Sequence, residues 1–221
     1  MTERGVVVAI DGPAGAGKST LGRRLARELG LPHVNTGLMY RAVAALAIER
    51  SVDPDDEEAL ASIALALSYS LAGLDPPELV IRGGPPASSL HTPEVEAIVS
   101  EVARHPAVRA VMREAQRALG LSGSVMEGRD IGTVVFPDAT VKIFLVARPD
   151  VRVHRRELER EGARDRTNGL AAALDRRDIL DGRTNPLVPA PDAHRIDTTA
   201  LGPDEVLAES LRIVREARSR A

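Results

Sequence analysis

The sequence VVVAIDGPAGAGKST, residues 6–20, joins an apolar run to a glycine-rich loop. An unbroken apolar run of this kind is typical of a buried strand in a parallel sheet. Residues 12–19 fit the phosphate-loop pattern at every position: Gly, any four residues, Gly, Lys, and then Ser or Thr. Glycines allow the backbone N–H groups of such a loop, together with the N-terminus of the following helix, to converge on one anion. This stretch therefore predicts a strand, a loop and a helix that hold the phosphates of a nucleotide.

Individual side chains of the phosphate loop have predicted roles. Lys18 is expected to reach the β- and γ-phosphates, and the hydroxyl of Ser19 is expected to contact Mg²⁺. The predicted nucleotide-binding residues are Gly12, Pro13, Ala14, Gly15, Ala16, Gly17, Lys18, Ser19 and Thr20. A plain glycine-rich turn is the competing interpretation, and the complete pattern after a strand disfavours it. Among the 29 basic residues only Lys18 and Lys142 are lysines, which indicates that a compact ammonium is kept for particular positions.

Composition limits the architecture and the classes of partner. A chain of 221 residues can form one substantial core with a small insertion. The formal net charge of −3 gives no general attraction to nucleic acid, so we expect small ligands bound by local arginine clusters. Cysteine is absent, which excludes a disulfide framework and thiolate metal sites. Without an apolar leader or a long apolar span, we expect a cytoplasmic protein with no membrane partner, and the size is consistent with a monomer.

The histidines carry no metal-binding signal. None of the spacings between them is typical of metal ligands. We therefore interpret all five as structural or surface residues: His33, His91, His105, His154 and His194.

Alternating strand and helix patterns continue along the chain. Strands are predicted at residues 31–34, 68–72, 79–82, 124–127, 140–146 and 195–197, and the second and third of these suggest a small antiparallel insert. Helices are predicted from the phosphate loop to a left-handed cap at Gly30, from a cap at Thr36, and over residues 55–67, 92–104, 108–120, 150–161, 170–181 and 203–218. This alternation predicts an α/β fold, in which helices cover both faces of a parallel sheet and ligands bind at the carboxyl ends of its strands.

Charged loops indicate what is done with the nucleotide. Switch GTPases need an Asp-x-x-Gly loop and a guanine-reading Asn-Lys-x-Asp, and neither occurs in this sequence. Arginine instead recurs where strands end or loops lie, at Arg41, Arg129, Arg152, Arg155, Arg156, Arg177 and Arg183. Phosphoryl transfer between two anions needs such a pattern, because several phosphates must be gathered in one cleft. Any single arginine, by itself, is more often part of a solvated helix face.

Six segments together carry a resemblance to a known family. They are residues 11–20 (DGPAGAGKST), 36–41 (TGLMYR), 128–138 (GRDIGTVVFPD), 141–145 (VKIFL), 186–189 (PLVP) and 197–199 (DTT). They resemble the bacterial cytidylate kinases, a family of nucleoside monophosphate kinases, nearly from end to end. Residues 128–133 are the most discriminating, because adenylate, thymidylate and shikimate kinases share the phosphate loop without this segment.

The resemblance implies a P-loop kinase fold and a division of the chain. The core would comprise residues 1–67 and 121–221, with a helical lid over about residues 150–182. Residues 68–120 would form the insert that binds the nucleoside monophosphate. The implied reaction transfers the γ-phosphoryl group of ATP to CMP or dCMP in the presence of Mg²⁺, which gives ADP and the nucleoside diphosphate.

The resemblance also implies roles for individual residues. Those facing CMP would be Thr36, Tyr40, Arg41, Ser100, Arg109, Arg129, Asp130, Arg177 and Asp181. Within this set Arg41 and Arg129 would hold the monophosphate, and Asp130 would read cytosine. The chemistry agrees, because a carboxylate can accept a hydrogen bond from the N4 amino group of cytosine, whereas uracil presents a carbonyl there.

The remaining implied residues lie around ATP and the transferred group. Arg152, Arg155 and Arg156 would belong to the lid over ATP. The groups implied to stabilise the transferring phosphoryl group are Lys18, Arg129, Arg156, Arg177 and Arg183. Ser19 would bind Mg²⁺, and Glu127 would serve the metal through water.

Three positions depart from the pattern of that family. Glu127 stands where an Asp is usual, and Asn35 stands where an acid is common. The spacing between Asp181 and Arg183 is one residue shorter than usual. Two alternatives stay open: a P-loop kinase that acts on UMP or another small acceptor, and a nucleotide-dependent switch or binding module.

Overall fold

A seven-stranded sheet forms the centre of the structure, a computed structural model that describes residues 5–73, 75–161 and 187–219. Its strands are β1 (Val7–Asp11), β2 (His33–Asn35), β3 (Ser68–Ala72), β4 (Glu78–Arg82), β5 (Ser124–Gly128), β6 (Val141–Val146) and β7 (His194–Asp197). They lie in the order β3-β4-β2-β5-β1-β6-β7. The β3–β4 pair is antiparallel and the other neighbours are parallel, as the alternating pattern predicts.

Helices cover both faces of this sheet. They are α1 (Lys18–Leu29), α2 (Thr36–Glu49), α3 (Glu57–Ala66), α4 (Pro93–Arg104), α5 (Pro106–Gly120), α6 (Pro149–Glu161) and α7 (Pro203–Arg218). Alternate residues of β1 enter two different cores: Val7 and Ala9 pack with α2 to α5, whereas Val8 and Ile10 pack with α1 and α7. This two-sided burial explains why the strand reads as an unbroken apolar run. The predicted α/β architecture is confirmed.

Local signals set the ends of several helices. Gly30 ends α1 in the left-handed conformation at φ 64°, and its N–H donates to carbonyls of the last turn. Thr92 accepts a hydrogen bond from the N–H of Val95 and so caps α4. The predicted interruption near His105-Pro106 is confirmed, although α5 already begins at Pro106.

The predicted cap at Thr36 is wrong. Asn35 occupies the N-cap position, without a capping hydrogen bond from its side chain, and Thr36 is the first helical residue. The hydroxyl of Thr36 donates instead to the carbonyl oxygen of Glu127 at 2.7 Å. Since β2 and β5 are parallel neighbours with Asn35 opposite Glu127, that carbonyl lies within reach of the first turn of α2.

The predicted antiparallel hairpin, β3 with β4, joins the edge of the central sheet. His33 of β2 pairs in parallel with Glu78 of β4, so the hairpin continues the sheet. The division into a core (1–67 and 121–221) and an insert (68–120) stays a prediction.

Part of the predicted lid lies outside the described residues. Helix α6 is present where the charged helix at 150–161 is predicted. The predicted helix at 170–181 and the residues Arg177, Asp181 and Arg183 fall outside the described ranges. Across the ranges described, no helix combines the length and the apolarity that crossing a membrane requires.

Candidate active site

A cavity of about 430 Å³ opens at the carboxyl ends of β1, β2 and β5. This volume is within the range of small-molecule sites. Its phosphate-loop wall contains Ala14, Gly15, Gly17, Lys18, Ser19 and Thr20. The other lining residues predicted from the sequence are Thr36, Tyr40, Arg41, Ser100, Arg109, Glu127, Arg129, Asp130 and Arg156. The predicted binding residues of α2, α4, α5 and the phosphate loop therefore surround one space.

The phosphate loop has a backbone that glycine makes possible. Gly12 and Gly17 have φ values of 145° and 96°, which L side chains rarely adopt. A Cβ atom on Gly12 would lie 2.3 Å from the carbonyl oxygen of Leu145, so β6 leaves no room for a side chain. Lys18 begins α1 and donates from Nζ to the carbonyl oxygen of Pro13 at 2.8 Å. The helix N-terminus and the lysine therefore both lie at the loop, where an anion would bind.

Side chains from segments that are distant in sequence support the phosphate loop from outside the cavity. The hydroxyl of Thr198, which is 2% exposed, lies 3.1 Å from the carbonyl oxygen of Ala16. Arg155 of α6 donates to both the hydroxyl and the carbonyl of Thr198, at 2.9 and 2.6 Å. Arg152 donates to the carbonyl oxygen of Ala14 at 3.2 Å. Arg152 thus contacts the phosphate loop, and Arg155 contacts Thr198, which supports the loop. Neither arginine lines the cavity. Of the predicted phosphate-loop residues, Gly12, Pro13 and Ala16 do not line it either. The predicted contact of Arg152 and Arg155 with ATP stays a prediction.

Ser19 and Glu127 are adjacent at the floor of the cavity. The Ser19 hydroxyl donates to Oε2 of Glu127 at 2.9 Å, and Asn35 Nδ2 lies 3.5 Å from that hydroxyl. The second carboxylate oxygen of Glu127 lies 3.1 Å from Nε2 of His33. Hydroxyl and carboxylate oxygens are the kind of ligand atoms that suit Mg²⁺. Within the described part of the chain, no three His, Asp or Glu side chains form a metal-binding group, so a cation here would depend on nucleotide phosphates and water as well.

Three arginines line the cavity near the phosphate loop and α4: Arg41, Arg129 and Arg156. Arg41 is 5% exposed; it donates to the carbonyl oxygen of Leu90 at 2.9 Å and to the Glu96 carboxylate at 2.8 Å. Arg156 of α6 lies 3.7 Å from the same Glu96 oxygen. Arg129 donates to the carbonyl oxygen of Gly12 at 2.9 Å, which links it to the phosphate loop. This arrangement places guanidinium groups around one part of the cavity.

The sequence analysis missed Glu96. Glu96 lies in the first turn of α4, and acidic residues are an ordinary feature of helix N-termini, so nothing in its position alone indicated a role in the site. The signal that could have identified it is its spacing from Ser100, because residues four apart lie on the same side of a helix. Ser100 is 7% exposed and lines the cavity, so the face that carries both residues faces inward.

The far wall of the cavity combines a carboxylate and a guanidinium. Asp130 is 8% exposed and accepts a hydrogen bond from Nη2 of Arg109, while Nη1 of Arg109 donates to the carbonyl oxygen of Ala103 at 3.2 Å. Burial raises the pKa of Tyr40 to about 12, so its hydroxyl keeps its proton even at alkaline pH. This wall thus presents a hydrogen-bond acceptor, the Asp130 carboxylate, and hydrogen-bond donors, the Arg109 guanidinium and the Tyr40 hydroxyl, to a polar ring that enters the cavity.

A buried carboxylate that the sequence analysis did not single out connects the two walls. Asp11 ends β1 and accepts hydrogen bonds from the backbone N–H groups of Ile131 and Gly132, at 2.9 and 2.8 Å. Burial raises the pKa of Asp11 to about 6, although these two hydrogen bonds partly offset the shift. Residues Ile131–Val135 form a single π-helical turn, which Asp11 thereby holds against the start of the phosphate loop. The position of Arg129 and Asp130 is therefore tied to β1.

Comparisons with known proteins agree along almost the whole chain. A family model described as "Cytidylate kinase" matches residues 8–216. A cytidylate kinase of Solibacter usitatus is 45% identical over 220 residues, which cover 96% of this chain and 94% of that protein. Those of Roseiflexus castenholzii and Granulibacter bethesdensis are 45% and 43% identical and cover 91% and 95% of this chain, and 90% and 97% of their own lengths.

Proposed function

The chain belongs to the cytidylate kinase family, and on this premise we propose how its cavity serves the transfer of the γ-phosphoryl group of ATP to CMP or dCMP. The products are CDP or dCDP and ADP. Membership in this enzyme family also overturns the alternative of a nucleotide switch without catalysis. One observation carries the proposal: the phosphate loop and the side chains of Arg41, Arg109 and Asp130 line one cavity.

The phosphate loop binds the donor. Its backbone N–H groups and the N-terminus of α1 hold the phosphates of ATP, and Lys18 neutralises charge on the β- and γ-phosphates. Thr198 and Arg155 support this role by fixing the loop through the carbonyl of Ala16. A loop held in this way loses little freedom when the nucleotide binds.

Arginines bind the phosphate of the acceptor. Arg41 and Arg129 lie on the cavity wall, and their planar guanidinium groups suit a phosphate dianion. No general base is required, because the second pKa of a phosphate monoester is about 6 and its oxygen is already anionic at neutral pH. Positioning two polyanions against their mutual repulsion is the main task of this site. Arg156 of α6 would add positive charge from the lid side, and Arg177 and Arg183 are proposed for the same region.

Asp130 and Arg109 read the base. The Asp130 carboxylate would accept a hydrogen bond from the N4 amino group of cytosine, and the ion pair with Arg109 holds that carboxylate in place. Uracil would put a carbonyl oxygen opposite the carboxylate, which leaves two acceptors facing each other. Ser100 and Tyr40 line the same part of the cavity and complete the base and sugar side. Asp181 and Arg177 are proposed to contact the ribose.

Ser19 and Glu127 would hold Mg²⁺, Glu127 through water. The 2.9 Å contact between their oxygens places a hydroxyl and a carboxylate beside the phosphate loop, which is a donor set that suits this ion. An Mg²⁺ ion held by these residues would supply positive charge that offsets the negative charge of the ATP phosphates. We further propose that the protein acts as a monomer in the cytoplasm and that the core, insert and lid divide the chain as the resemblance implies.

A substrate panel tests this function. ADP release is measured in a coupled assay with ATP and each of CMP, dCMP, UMP and AMP, and without any acceptor. CMP and dCMP should support the fastest turnover, and release without an acceptor should be negligible because closure over both substrates excludes water. Faster turnover with UMP would overturn the proposed base recognition, and acceptor-independent release would overturn the proposed two-substrate cavity.

A further inference from the structure

His33 holds one oxygen of the Glu127 carboxylate while Ser19 holds the other. Nε2 of His33 lies 3.1 Å from Oε1, and the Ser19 hydroxyl donates to Oε2 at 2.9 Å. The side chains of His33 and Glu127 are each only 3% exposed. In this contact the carboxylate oxygen is the acceptor and Nε2 of the ring is the donor.

The packing around His33 leaves little freedom for its ring. Gly22 of α1 faces it so closely that a Cβ atom on Gly22 would lie 2.8 Å from Nε2 and 3.1 Å from Cδ2. On the other side, Nδ1 lies 3.8 Å from Oε1 of Glu78, and the backbone N–H of His33 donates to Pro77 at 2.8 Å. Helix α1 and the edge of the sheet therefore determine where Nε2 points.

We propose that His33 is a positioning residue for the Mg²⁺ site, acting through Glu127 and never touching the metal or the nucleotide. A glutamate side chain has three torsions, so its carboxylate needs a second contact to stay directed at a cation. The His33 hydrogen bond supplies that contact and leaves Oε2 on the side of Ser19. Partners of this kind, which orient a metal-binding carboxylate, commonly change metal affinity by about ten- to a hundredfold. The inference rests on the proposed Mg²⁺ role of Ser19 and Glu127.

Gly22→Ala offers a variant that moves the ring without removing it. Alanine stabilises the interior of a helix relative to glycine, and this gain offsets part of the cost of crowding the buried ring, so we expect the Gly22→Ala protein to fold. Its Cβ atom would nevertheless occupy the space next to Nε2 and push the ring away from Glu127. His33→Leu removes the donor, and His33→Gln restores an N–H group at a similar distance from the backbone.

The test measures binding, so it does not depend on turnover. ADP is titrated by calorimetry into each protein without metal and at increasing Mg²⁺ concentrations. In His33→Leu and Gly22→Ala, metal-free ADP binding should be unchanged, while the Mg²⁺ concentration for half-maximal tightening should rise about tenfold. His33→Gln should recover most of this loss. His105→Gln is the matched control, because His105 is also buried but contacts the Pro54 carbonyl at 2.7 Å, and its Mg²⁺ response should be normal.

The outcomes separate the inference from the function on which it rests. If wild-type protein binds ADP equally with and without Mg²⁺, the proposed metal role of Ser19 and Glu127 fails, and the inference fails with it. If the wild type responds to Mg²⁺ and both variants respond equally well, only the role of His33 is overturned. If His33→Leu does not fold, Gly22→Ala and the His33 ring ¹⁵N resonances of the wild type decide. Mg²⁺ with ADP should shift the Nε2 resonance more than ADP alone, and an equal shift would contradict the proposal.

Discussion

The carboxylate of Glu96 accepts a hydrogen bond from Nη2 of Arg41 at 2.8 Å, and both side chains are largely buried. Arg41 is the residue that we propose for binding the phosphate of the acceptor. A negative charge from α4 therefore lies next to the position where a phosphate dianion would bind. The guanidinium of Arg156 lies 3.7 Å from the same carboxylate oxygen, so α4 also contacts α6.

Glu96→Gln should tighten the binding of CMP. Glutamine keeps an oxygen that accepts a hydrogen bond from Arg41, but it removes a charge that repels the incoming phosphate. We expect the dissociation constant for CMP to fall roughly fivefold, with ATP binding changed much less. Calorimetric titration of each nucleotide measures both. Glu94→Gln is the matched control, because Glu94 is an exposed acid in the same turn of α4. Weaker CMP binding by Glu96→Gln would show that its charge supports the site.

Asp130→Ala should impair the recognition of cytosine more than the binding of ATP. The change removes the proposed acceptor for the N4 amino group and leaves Arg109 without this ion-pair partner. We expect kcat/KM for CMP to fall by about ten- to a hundredfold, and KM for ATP to change by about twofold or less. Steady-state assays with each substrate varied in turn measure this split. Equal losses for CMP and ATP would contradict the role in base reading.

Lys18→Ala should abolish turnover and leave CMP binding measurable. Lys18 lies at the phosphate loop on the donor side of the cavity, and the acceptor contacts are made by other residues. Coupled ADP release measures turnover, and calorimetry measures CMP binding. The other lysine of the chain provides a control: Lys142 is buried against Asp192 and Pro137, so Lys142→Met should lower stability while turnover persists. An active Lys18→Ala protein would overturn the proposed role of the loop.

Asp11 should make the protein less stable as the pH rises through its folded-state pKa. Burial raises this pKa from 3.8 to about 6, so between these values the folded protein binds the proton more tightly than the unfolded chain. The stabilising contribution of the protonated carboxyl is present below about pH 4 and is lost as the pH rises to about 6. The loss from this group is on the order of 3 kcal/mol.

Urea unfolding at several pH values tests the effect of Asp11. The difference in stability between wild type and Asp11→Asn should shift in favour of the variant between about pH 4 and pH 6.5, because asparagine does not titrate. Other groups titrate in both proteins and cancel in that difference. A difference that stays constant across this interval would mean that Asp11 is not perturbed by its burial.

Much of the fold follows from local sequence signals. The apolar run of β1, the cap at Gly30 and the Thr92-Pro93 start of α4 each depend on residues that are close in sequence, and each prediction is confirmed. The Thr36 cap is wrong because the neighbouring strand β5 brings a carbonyl to its hydroxyl, and no local pattern reports such a contact.

In the candidate site, too, sequence motifs identify some residues, whereas contacts that depend on tertiary packing are not predicted. Sequence motifs predicted that Lys18, Arg41 and Asp130 belong to the site, and all three line the cavity. The contacts of Glu96 and His33, however, depend on how α4 and β2 pack against other elements, and periodicity says nothing about those distances. Polar side chains that serve other side chains are therefore the part of a site that a single sequence reveals least.

The hydroxyl of Thr198 contacts the carbonyl of Ala16 across 182 positions of sequence. The segment that carries the nucleotide-binding motif leaves the ribosome well before the residue that supports it. β1 also needs its neighbours β5 and β6, whose residues lie more than a hundred positions later. Because non-local contacts form only after the intervening chain is available, the phosphate loop is made early and completed late. A nascent or truncated chain that ends before Thr198 would carry the full motif and yet lack a finished nucleotide site.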